Sequence, residues 1–523
     1  MLSKSARHEL RWTVVVMAAV LATYGSTLLL EHRAHLRIDV VVQSVVLSLS
    51  LARTQRSASP GHRLLSLALF PAAVFAAEGV STLVGRHPNA GDTLFVLCVC
   101  ATVWIRRFGP LAVRIGTLAV LPLVSILVLQ GPAGVPTGTA HAGWAALVAL
   151  IAAGWVLLVQ VGAWRTGFGE RARPERRPER RPEPPGAAAP RRVRPSTRMA
   201  LQMGVALGAA FVVGRYAYPS HWTWVVLTAF IVCSGARGRA DVVHKGVLRG
   251  AGAALGTLVA TWIAGDFGPG DRTSVVLIFV ALALATWLRK AGYAFWAAGV
   301  TSVLSLLYGY FGESAPALLR TRLLEILIGA ALGIAASCLV LPVRTGEVLR
   351  RRTADALAAL AELLRTLGAE NPQPGLPTRR QAAFEHSVAR LDQLAPALEA
   401  KRLLERRWMP TPHQADAIDA VRRCVAPTRA LAAFAAAQDP ATAHRELAGP
   451  SAAALANTWA VRRAIGRRPG AGYRPVGPRP DAHSASDPET AQRAAAFREI
   501  DAALGSLSAF FGPVPAAGTP TAG

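Results

Sequence analysis

The sequence predicts an all-α, polytopic membrane protein with two parallel repeats of about six transmembrane helices and a C-terminal cytoplasmic helical domain. Three observations lead to this fold class: the apolar composition, an internal repeat and an uneven distribution of basic residues. Hydrophobic residues make up 52% of the 523 positions. A soluble fold of this length could not easily bury so much apolar surface, so we expect the chain in a membrane.

The internal repeat joins residues 11–164 to residues 198–344. Both stretches contain six apolar segments, and matching landmarks lie at a nearly constant separation. The landmarks pair Arg11 with Arg198, Arg63 with Arg249, and residues 104–109 with 287–292. An even number of crossings places both copies the same way up, which permits a twofold axis along the membrane normal and a pathway between the halves.

The apolar segments predict twelve spans. In the first repeat they cover residues 12–30, 38–52, 64–85, 93–105, 111–130 and 143–164. In the second repeat they cover residues 199–216, 222–234, 247–265, 274–288, 291–310 and 321–341. Several are shorter than the roughly 20 residues that cross a bilayer core, so flanking residues are expected to extend those helices.

Basic residues indicate the orientation of these spans. With the N-terminus inside, the inner segments hold twenty-nine Lys and Arg residues and the six outer loops hold five. Because basic residues in short loops accumulate on the cytoplasmic side, both termini are expected in the cytoplasm. The same distribution accounts for the net charge of +26 without a nucleic-acid partner.

Composition also sets the expected domain boundaries. Residues 1–164 form the first, divergent repeat, 165–197 an Arg/Pro-rich cytoplasmic linker whose arginines contact anionic lipid headgroups, and 198–344 the second repeat. Residues 345–523 form the cytoplasmic helical region, with helices over 357–367, 384–398, 413–437 and 441–466 and a disordered segment at about 467–488. An apolar stripe over 497–511 is expected to pack on this bundle or, alternatively, on a second copy of the chain.

Three pairs of glycines in the second repeat predict close contacts between helices. Each pair is separated by three residues, which places both glycines on one helix face and lets another backbone approach. The pairs are Gly204 and Gly208, Gly252 and Gly256, and Gly329 and Gly333. The alternative is chance recurrence in a chain rich in Gly and Ala, because this spacing alone is a weak motif.

One stretch of the second repeat resembles a known family. Residues 218–232 (YPSHWTWVVLTAFIV) combine an aromatic-rich turn with an apolar span, and a basic loop and the glycine-rich segment 250–256 follow. This order resembles the fusaric acid resistance-like (FUSC) family of bacterial inner-membrane proteins, which includes aromatic acid exporters. The resemblance covers most of the second repeat. It implies a location in the plasma (inner) membrane of a bacterium, efflux of aromatic carboxylic acids or related organic anions, and a wider kinship with plant malate channels.

Charged residues inside apolar spans are the candidate transport residues, because burying them in a bilayer costs about 2.5–3.5 kcal/mol each. They are Glu78, Arg114, Arg322 and Glu325. Glu78 is a candidate proton carrier or, equally, a hydrogen-bonded packing residue. Arg322 and Glu325, three apart on one helix, are expected to pair with each other, and Arg114 is expected to reach the membrane interface.

A candidate anion mouth is formed by two basic pairs in equivalent inner loops, Arg106 with Arg107 and Arg289 with Lys290. Around a twofold axis their fields could add and attract organic anions, although basic residues in such loops also serve as topology anchors. Candidate aromatic contacts are Tyr293, Trp296, Trp222 and Trp224, for which anchoring at the membrane interface is the alternative.

No enzyme motif is recognisable: the chain has no phosphate-binding P-loop, zinc-protease helix or nucleophile elbow. No cofactor or metal is predicted, since Cys98 and Cys100 would lie on diverging helix faces. The predicted function is export of organic anions. Alternatives are an organic-anion channel and a membrane scaffold whose cytoplasmic helices bind partners. Expected partners are membrane lipids, the small organic anion, and either an accessory export protein or a second copy of the chain.

Overall fold

The computed structural model describes residues 4–36, 38–56, 60–129, 139–168, 194–264, 270–312, 316–342, 344–405, 412–468, 472–476 and 488–512. These residues form helices joined by turns, with no β-strand among them. The chain divides into two compact units, Met1–Pro342 and Val343–Gly523, which we call the membrane unit and the C-terminal unit. Most of the predicted linker 165–197 and of segment 467–488 lies outside the described residues.

The membrane unit contains twelve described α-helices, and each overlaps one predicted span. The first half has α1 (Lys4–Ala34), α2 (Ile38–Thr54), α3 (Pro60–Arg86), α4 (Pro88–Trp104), α5 (Pro110–Leu129) and α6 (Thr139–Arg165). The second half has α7 (Pro195–Ala217), α8 (Thr223–Cys233), α9 (Arg239–Ala264), α10 (Arg272–Leu288), α11 (Tyr293–Tyr310) and α12 (Pro316–Leu339). Five of these helices begin at a proline, whose missing N–H is harmless in a first turn.

Seven of the described helices are long and apolar enough to cross a membrane, namely α1, α3, α4, α5, α6, α7 and α12. Two more, α8 and α10, are apolar but shorter. The protein is therefore a multi-pass membrane protein. The count of twelve crossings and the pairing of the two repeats stay predictions.

The two halves share an apolar core. Phe95 of α4 packs edge-on against Phe211 of α7, with ring centroids 5.6 Å apart. In the same region Arg215 of α7 donates a hydrogen bond of 2.7 Å to the Asp92 carboxylate of α4. The halves are thus joined by apolar packing and by an ion pair.

Glycines allow close helix contacts, as predicted for two of the three pairs. A Cβ added at Gly252 or Gly256 of α9 would lie 2.5 Å or 2.4 Å from a backbone carbonyl oxygen of α11. A Cβ at Gly329 of α12 would lie 2.4 Å from the Val225 carbonyl oxygen of α8. At Gly208, in contrast, a Cβ would meet no atom within 4 Å, so the prediction is wrong there.

The C-terminal unit is a helical bundle formed by α13 (Thr345–Leu367), α14 (Leu376–Asp392), α15 (Ala395–Glu405), α16 (Gln414–Arg423), α17 (Val425–Ala437), α18 (Pro440–Ile465) and α19 (Pro488–Phe511). Two segments expected as single helices, 384–398 and 413–437, are each divided in two. The physical reason is the same in both, because Pro396 and Pro427 lack the N–H that a continuous helix would need, and each lies in the first turn of the second helix.

The apolar stripe of α19 packs on the bundle of the C-terminal unit, where Ile500, Leu504 and Leu507 are fully buried. Within segment 467–488, the described residues 472–476 are bound to the same bundle. Asp501 of α19 accepts hydrogen bonds from the Tyr473 hydroxyl at 3.0 Å and from the Val476 backbone N–H at 3.0 Å. Burial and the Asp501 carboxylate raise the pKa of Tyr473 to about 12.

Candidate functional site

A small cavity lies between the two halves of the membrane unit. It is lined by Val103, Arg106 and Val120 from the first half and by Met199, Met203 and Phe230, among others, from the second. The Arg106 guanidinium is the charged group of this lining, and its buried Nε has no hydrogen-bond partner among the described residues. Cys233, Ser234 and Gly235 add polar groups to the lining, and the space holds about one water molecule. The Arg106 guanidinium can bind a carboxylate through charged hydrogen bonds.

The position of Arg106 follows from the local sequence. α4 continues into a short 3-10 turn, Ile105–Phe108, which ends at Gly109 with a φ of 123°. Residues with a Cβ rarely adopt this conformation, so glycine permits the turn. Tight packing also fixes the turn, because a Cβ at Gly116 of α5 would lie 2.3 Å from the Thr102 carbonyl oxygen.

The next residue, Arg107, has a different environment. Its guanidinium carbon lies 3.8 Å from the Trp104 ring centroid and 4.6 Å from that of Phe108. Arg107 therefore forms cation–π contacts with its own turn.

The second basic pair of the predicted mouth is also divided. Lys290 forms an ion pair with the Glu9 carboxylate of α1, which Arg56 contacts as well at 2.9 Å. Arg289 lies elsewhere, with its guanidinium carbon 5.7 Å from the Trp296 ring centroid. The four residues of the predicted mouth thus have four different environments. A single mouth formed by both pairs stays a prediction.

Arg289 belongs to what we call the arginine cluster, formed by Arg53, Arg249, Arg289, Tyr293 and Trp296. The guanidinium carbon of Arg53 lies 4.0 Å from the Trp296 ring centroid. Each of the three arginines interacts electrostatically with Tyr293, at the start of α11. Arg249 is only 1% exposed, and its Nε and Nη2 have no hydrogen-bond partner among the described residues.

Glu78 lies in a polar cluster between α2, α3 and α6. It is 7% exposed, and its carboxylate accepts a hydrogen bond of 2.6 Å from Gln43 Nε2. His141 Nε2 lies 3.9 Å from the other carboxylate oxygen, and Asp39 also interacts electrostatically with Glu78. The geometry suits both interpretations made from the sequence, a proton carrier and a packing residue.

Arg322 and Glu325 are both buried in α12. The Arg322 guanidinium carbon lies 3.6 Å from the Tyr308 ring centroid and 5.1 Å from that of Trp224. Neither carboxylate oxygen of Glu325 accepts a hydrogen bond from the described residues. Arg322 is thus placed on aromatic rings, in addition to its electrostatic interaction with Glu325.

The remaining candidates lie apart from one another. Trp222 and Trp224 are 7% and 3% exposed and belong to the shared core, so neither faces lipid as an interface anchor would. Trp222 lies beneath Arg215, whose guanidinium carbon is 4.0 Å from the ring centroid. Arg114 is half-buried on α5.

Sequence reasoning missed four residues that the structure brings into these sites. Arg53 was counted only as a basic residue of an inner loop, Arg249 was noted only as a basic residue and a landmark of the repeat, and Gln43 and His141 were not noticed. A signal for Arg249 was present in the sequence. It precedes Gly252 by one helical turn, so the predicted close approach at Gly252 would carry Arg249 into the same interface.

These helices and charges define a multi-pass membrane protein with candidate anion sites. Residues 205–336 match the family model described as "Fusaric acid resistance protein-like". This match confirms the resemblance seen in the sequence and extends over most of α7–α12.

A curated relative is the "Uncharacterized protein YhfK" of Escherichia coli (strain K12), with 27% identity over 184 residues. The aligned part covers 34% of this chain and 25% of that protein. The similarity thus spans about a quarter of the relative's length.

Proposed function

We propose that the protein is a transporter of a bacterial inner membrane that exports aromatic carboxylic acids or related organic anions. The observation that carries the proposal is the cavity between the two halves, with Arg106 beside Phe230, Met199 and Met203. An aromatic acid has one negative charge and a flat apolar body. One guanidinium next to Phe230, Met199 and Met203 offers a partner for each feature, because a charged hydrogen bond fixes the carboxylate and apolar contact stabilises the ring. The two halves would have to separate to admit the acid, since the space between them holds about one water molecule.

The family match supports the same class of substrate. The matching model is named for resistance to fusaric acid, which is itself an aromatic carboxylic acid. The matched region supplies the Phe230 wall of the cavity, whereas Arg106 comes from the unmatched half. Export also agrees with the predicted orientation, in which Arg106 lies in an inner segment and would meet the acid from the cytoplasm.

Transport assays in inside-out membrane vesicles test this proposal. Vesicles containing the full-length protein should accumulate radiolabelled benzoate and should not accumulate neutral benzamide above the level of empty vesicles. Arg106→Gln should lower benzoate transport by roughly tenfold or more, since hydrogen bonds to charged groups contribute about 1.5–3 kcal/mol. Arg107→Gln is the matched comparison, because Arg107 stacks on its own turn and should retain most of the transport.

Each alternative function predicts a different result. Equal losses in Arg106→Gln and Arg107→Gln would favour a shared basic mouth over the cavity. A benzoate current across planar bilayers at rates beyond those of a carrier would identify a channel. Vesicles that accumulate none of a panel of aromatic and aliphatic acids, and bilayers that carry no current, would leave a scaffold as the function.

A further inference from the structure

The arginine cluster is a second place where positive charge is concentrated within the membrane unit. Arg53 lies in the last turn of α2, Arg289 follows the end of α10, and Arg249 lies within α9. The chain therefore brings three guanidinium groups from three helices to one tyrosine. Arg53 and Arg289 also interact electrostatically with each other, and both contact the ring of Trp296.

This concentration of charge is not neutralised by the partners that the structure shows. The electrostatic partners that the structure shows are Tyr293, which is neutral at ordinary pH, for all three guanidinium groups, and Arg289 for Arg53. Arg249 is buried and Arg53 is half-buried, and burying a charge is costly unless an opposite charge accompanies it. The membrane unit does contain acidic residues that pair with basic ones. Lys290, next in sequence to Arg289, forms an ion pair with Glu9.

Arg249 shows where an anion would bind. It is the largest fully buried side chain of the described residues, and two of its nitrogen atoms lack a hydrogen-bond partner among them. Its position is set by rigid packing, because the glycine contacts between α9 and α11 hold it beside Tyr293. A buried guanidinium with free donors that is fixed by the backbone is a preorganised anion site.

We propose that Arg53, Arg249 and Arg289, with the Tyr293 hydroxyl, form a site for a phosphate group, separate from the cavity at Arg106. Several guanidinium groups suit a multiply charged oxyanion with several acceptor oxygens, and each fork can bind two of them. The single guanidinium at Arg106 suits a monocarboxylate instead. The phosphate group can come from an anionic lipid headgroup or from free inorganic phosphate, and Arg289, which is exposed at a helix end, gives access to either.

Binding to the full-length protein in a maltoside detergent, stripped of phospholipid, tests the site with two probes. The first is radiolabelled inorganic phosphate in equilibrium dialysis, and the second is phosphatidylglycerol counted by native mass spectrometry. At least one probe should bind the wild type, and Arg249→Gln should weaken it by roughly tenfold or more. Arg249→Lys, which keeps the charge and loses the fork, should give an intermediate affinity. Arg165→Gln is the control, because Arg165 is an exposed arginine at the end of α6 outside the cluster.

Arg53→Gln and Arg289→Gln keep the test decisive if Arg249→Gln does not fold, because both residues lie at helix ends. Each should weaken the same probe while the Arg165→Gln control does not. Selective binding of phosphate identifies the free ion as ligand, and selective binding of phosphatidylglycerol identifies the lipid. The site would be overturned if neither probe bound the wild type, or if all variants bound a probe with equal affinity. It would also be overturned if benzoate displaced both probes while neither probe displaced the other. Benzoate transport through Arg106 is measured separately, so either proposal can fail alone.

Discussion

One arginine of the C-terminal unit and one of the membrane unit have opposite surroundings. In the C-terminal unit, Arg422 contacts three carboxylates, those of Asp392 at 2.7 Å, Glu399 at 3.1 Å and Asp419 at 3.0 Å. In the membrane unit, Arg249 is buried, and its Nε and Nη2 have no hydrogen-bond partner within the described part of the chain. A half-exposed charge with several acids needs no ligand to explain it. A buried charge without an acidic partner is the stronger indication of a binding site.

The two units also differ in what holds their helices together. The C-terminal unit has a leucine-rich core that includes Leu357, Leu360 and Leu364. In the membrane unit, backbones approach each other directly at Gly252, Gly256 and Gly329. Apolar side chains gain little by leaving lipid for a protein interior, so close backbone packing becomes more important there than the burial of large side chains. Substitutions should therefore have different effects in the two units.

The largest effect is expected for Gly256→Ala in the membrane unit. The added methyl group would lie 2.4 Å from the Ala298 carbonyl oxygen and 2.9 Å from Thr301 Cβ, so α9 and α11 must separate. We expect a cost of about 3 kcal/mol, at the upper end for overpacking, because backbone rather than a flexible side chain must move. Thermal unfolding of the full-length protein in detergent, followed by size-exclusion chromatography, measures it.

Gly208→Ala is the matched control for this substitution. It places a methyl group on α7 where no atom lies within 4 Å, and alanine favours the helix. Its melting temperature should equal or exceed that of the wild type. If both substitutions are equally harmless, close backbone contact does not distinguish the membrane unit.

An intermediate effect is expected for Asp501→Ala in the C-terminal unit. The Asp501 carboxylate is 9% exposed and accepts hydrogen bonds from Asn457, Tyr473 and Val476. Its removal leaves buried donors without an acceptor, which should cost about 2 kcal/mol. Segment 472–476 should then detach, and chymotrypsin should cleave after Tyr473 roughly tenfold faster in the full-length protein. Asp501→Asn, which keeps an acceptor oxygen, should give a smaller acceleration, and an unchanged rate in Asp501→Ala would show that other contacts hold the segment.

The smallest effect is expected for Arg422→Ala. Its side chain is 38% exposed, and exposed ion pairs contribute at most about 1 kcal/mol each because water screens them. The melting temperature of the full-length protein should fall slightly, and high salt should remove the difference between variant and wild type. A loss as large as that of Gly256→Ala would contradict the contrast between the units.

The helical architecture was readable from the sequence, because apolar segments and prolines are local signals. Each predicted span overlaps a helix, and prolines at positions such as Pro88 and Pro195 begin helices. The errors are local as well. Segments 384–398 and 413–437 were expected as single helices because their apolar spacing continues across the breaks at Pro396 and Pro427. The prediction for Gly208 failed for another reason. The spacing of two glycines shows that another helix backbone can approach that face, but it does not show that a helix lies there.

The candidate sites were only partly readable. Glu78 and Arg106 were singled out because a charge in an apolar span or a short basic loop is visible in sequence. The partners Gln43 and His141 of Glu78 lie 35 and 63 positions away, on other helices. The internal repeat made Arg106 and Arg289 equivalent positions. The structure nevertheless places Arg106 in a cavity and Arg289 beside Arg53.

By itself, the sequence determined the class of protein: a chain with this apolar content, repeat and charge distribution must cross a membrane, because hydrophobicity and charge act residue by residue. Only the tertiary structure decided which charges are satisfied. Lys290 has Glu9, and Arg249, also basic and also near a predicted inner loop, has a tyrosine that it shares with Arg53 and Arg289. The physical reason is that the energy of a charge depends on every group within several ångströms, and helix packing brings those groups from distant parts of the chain.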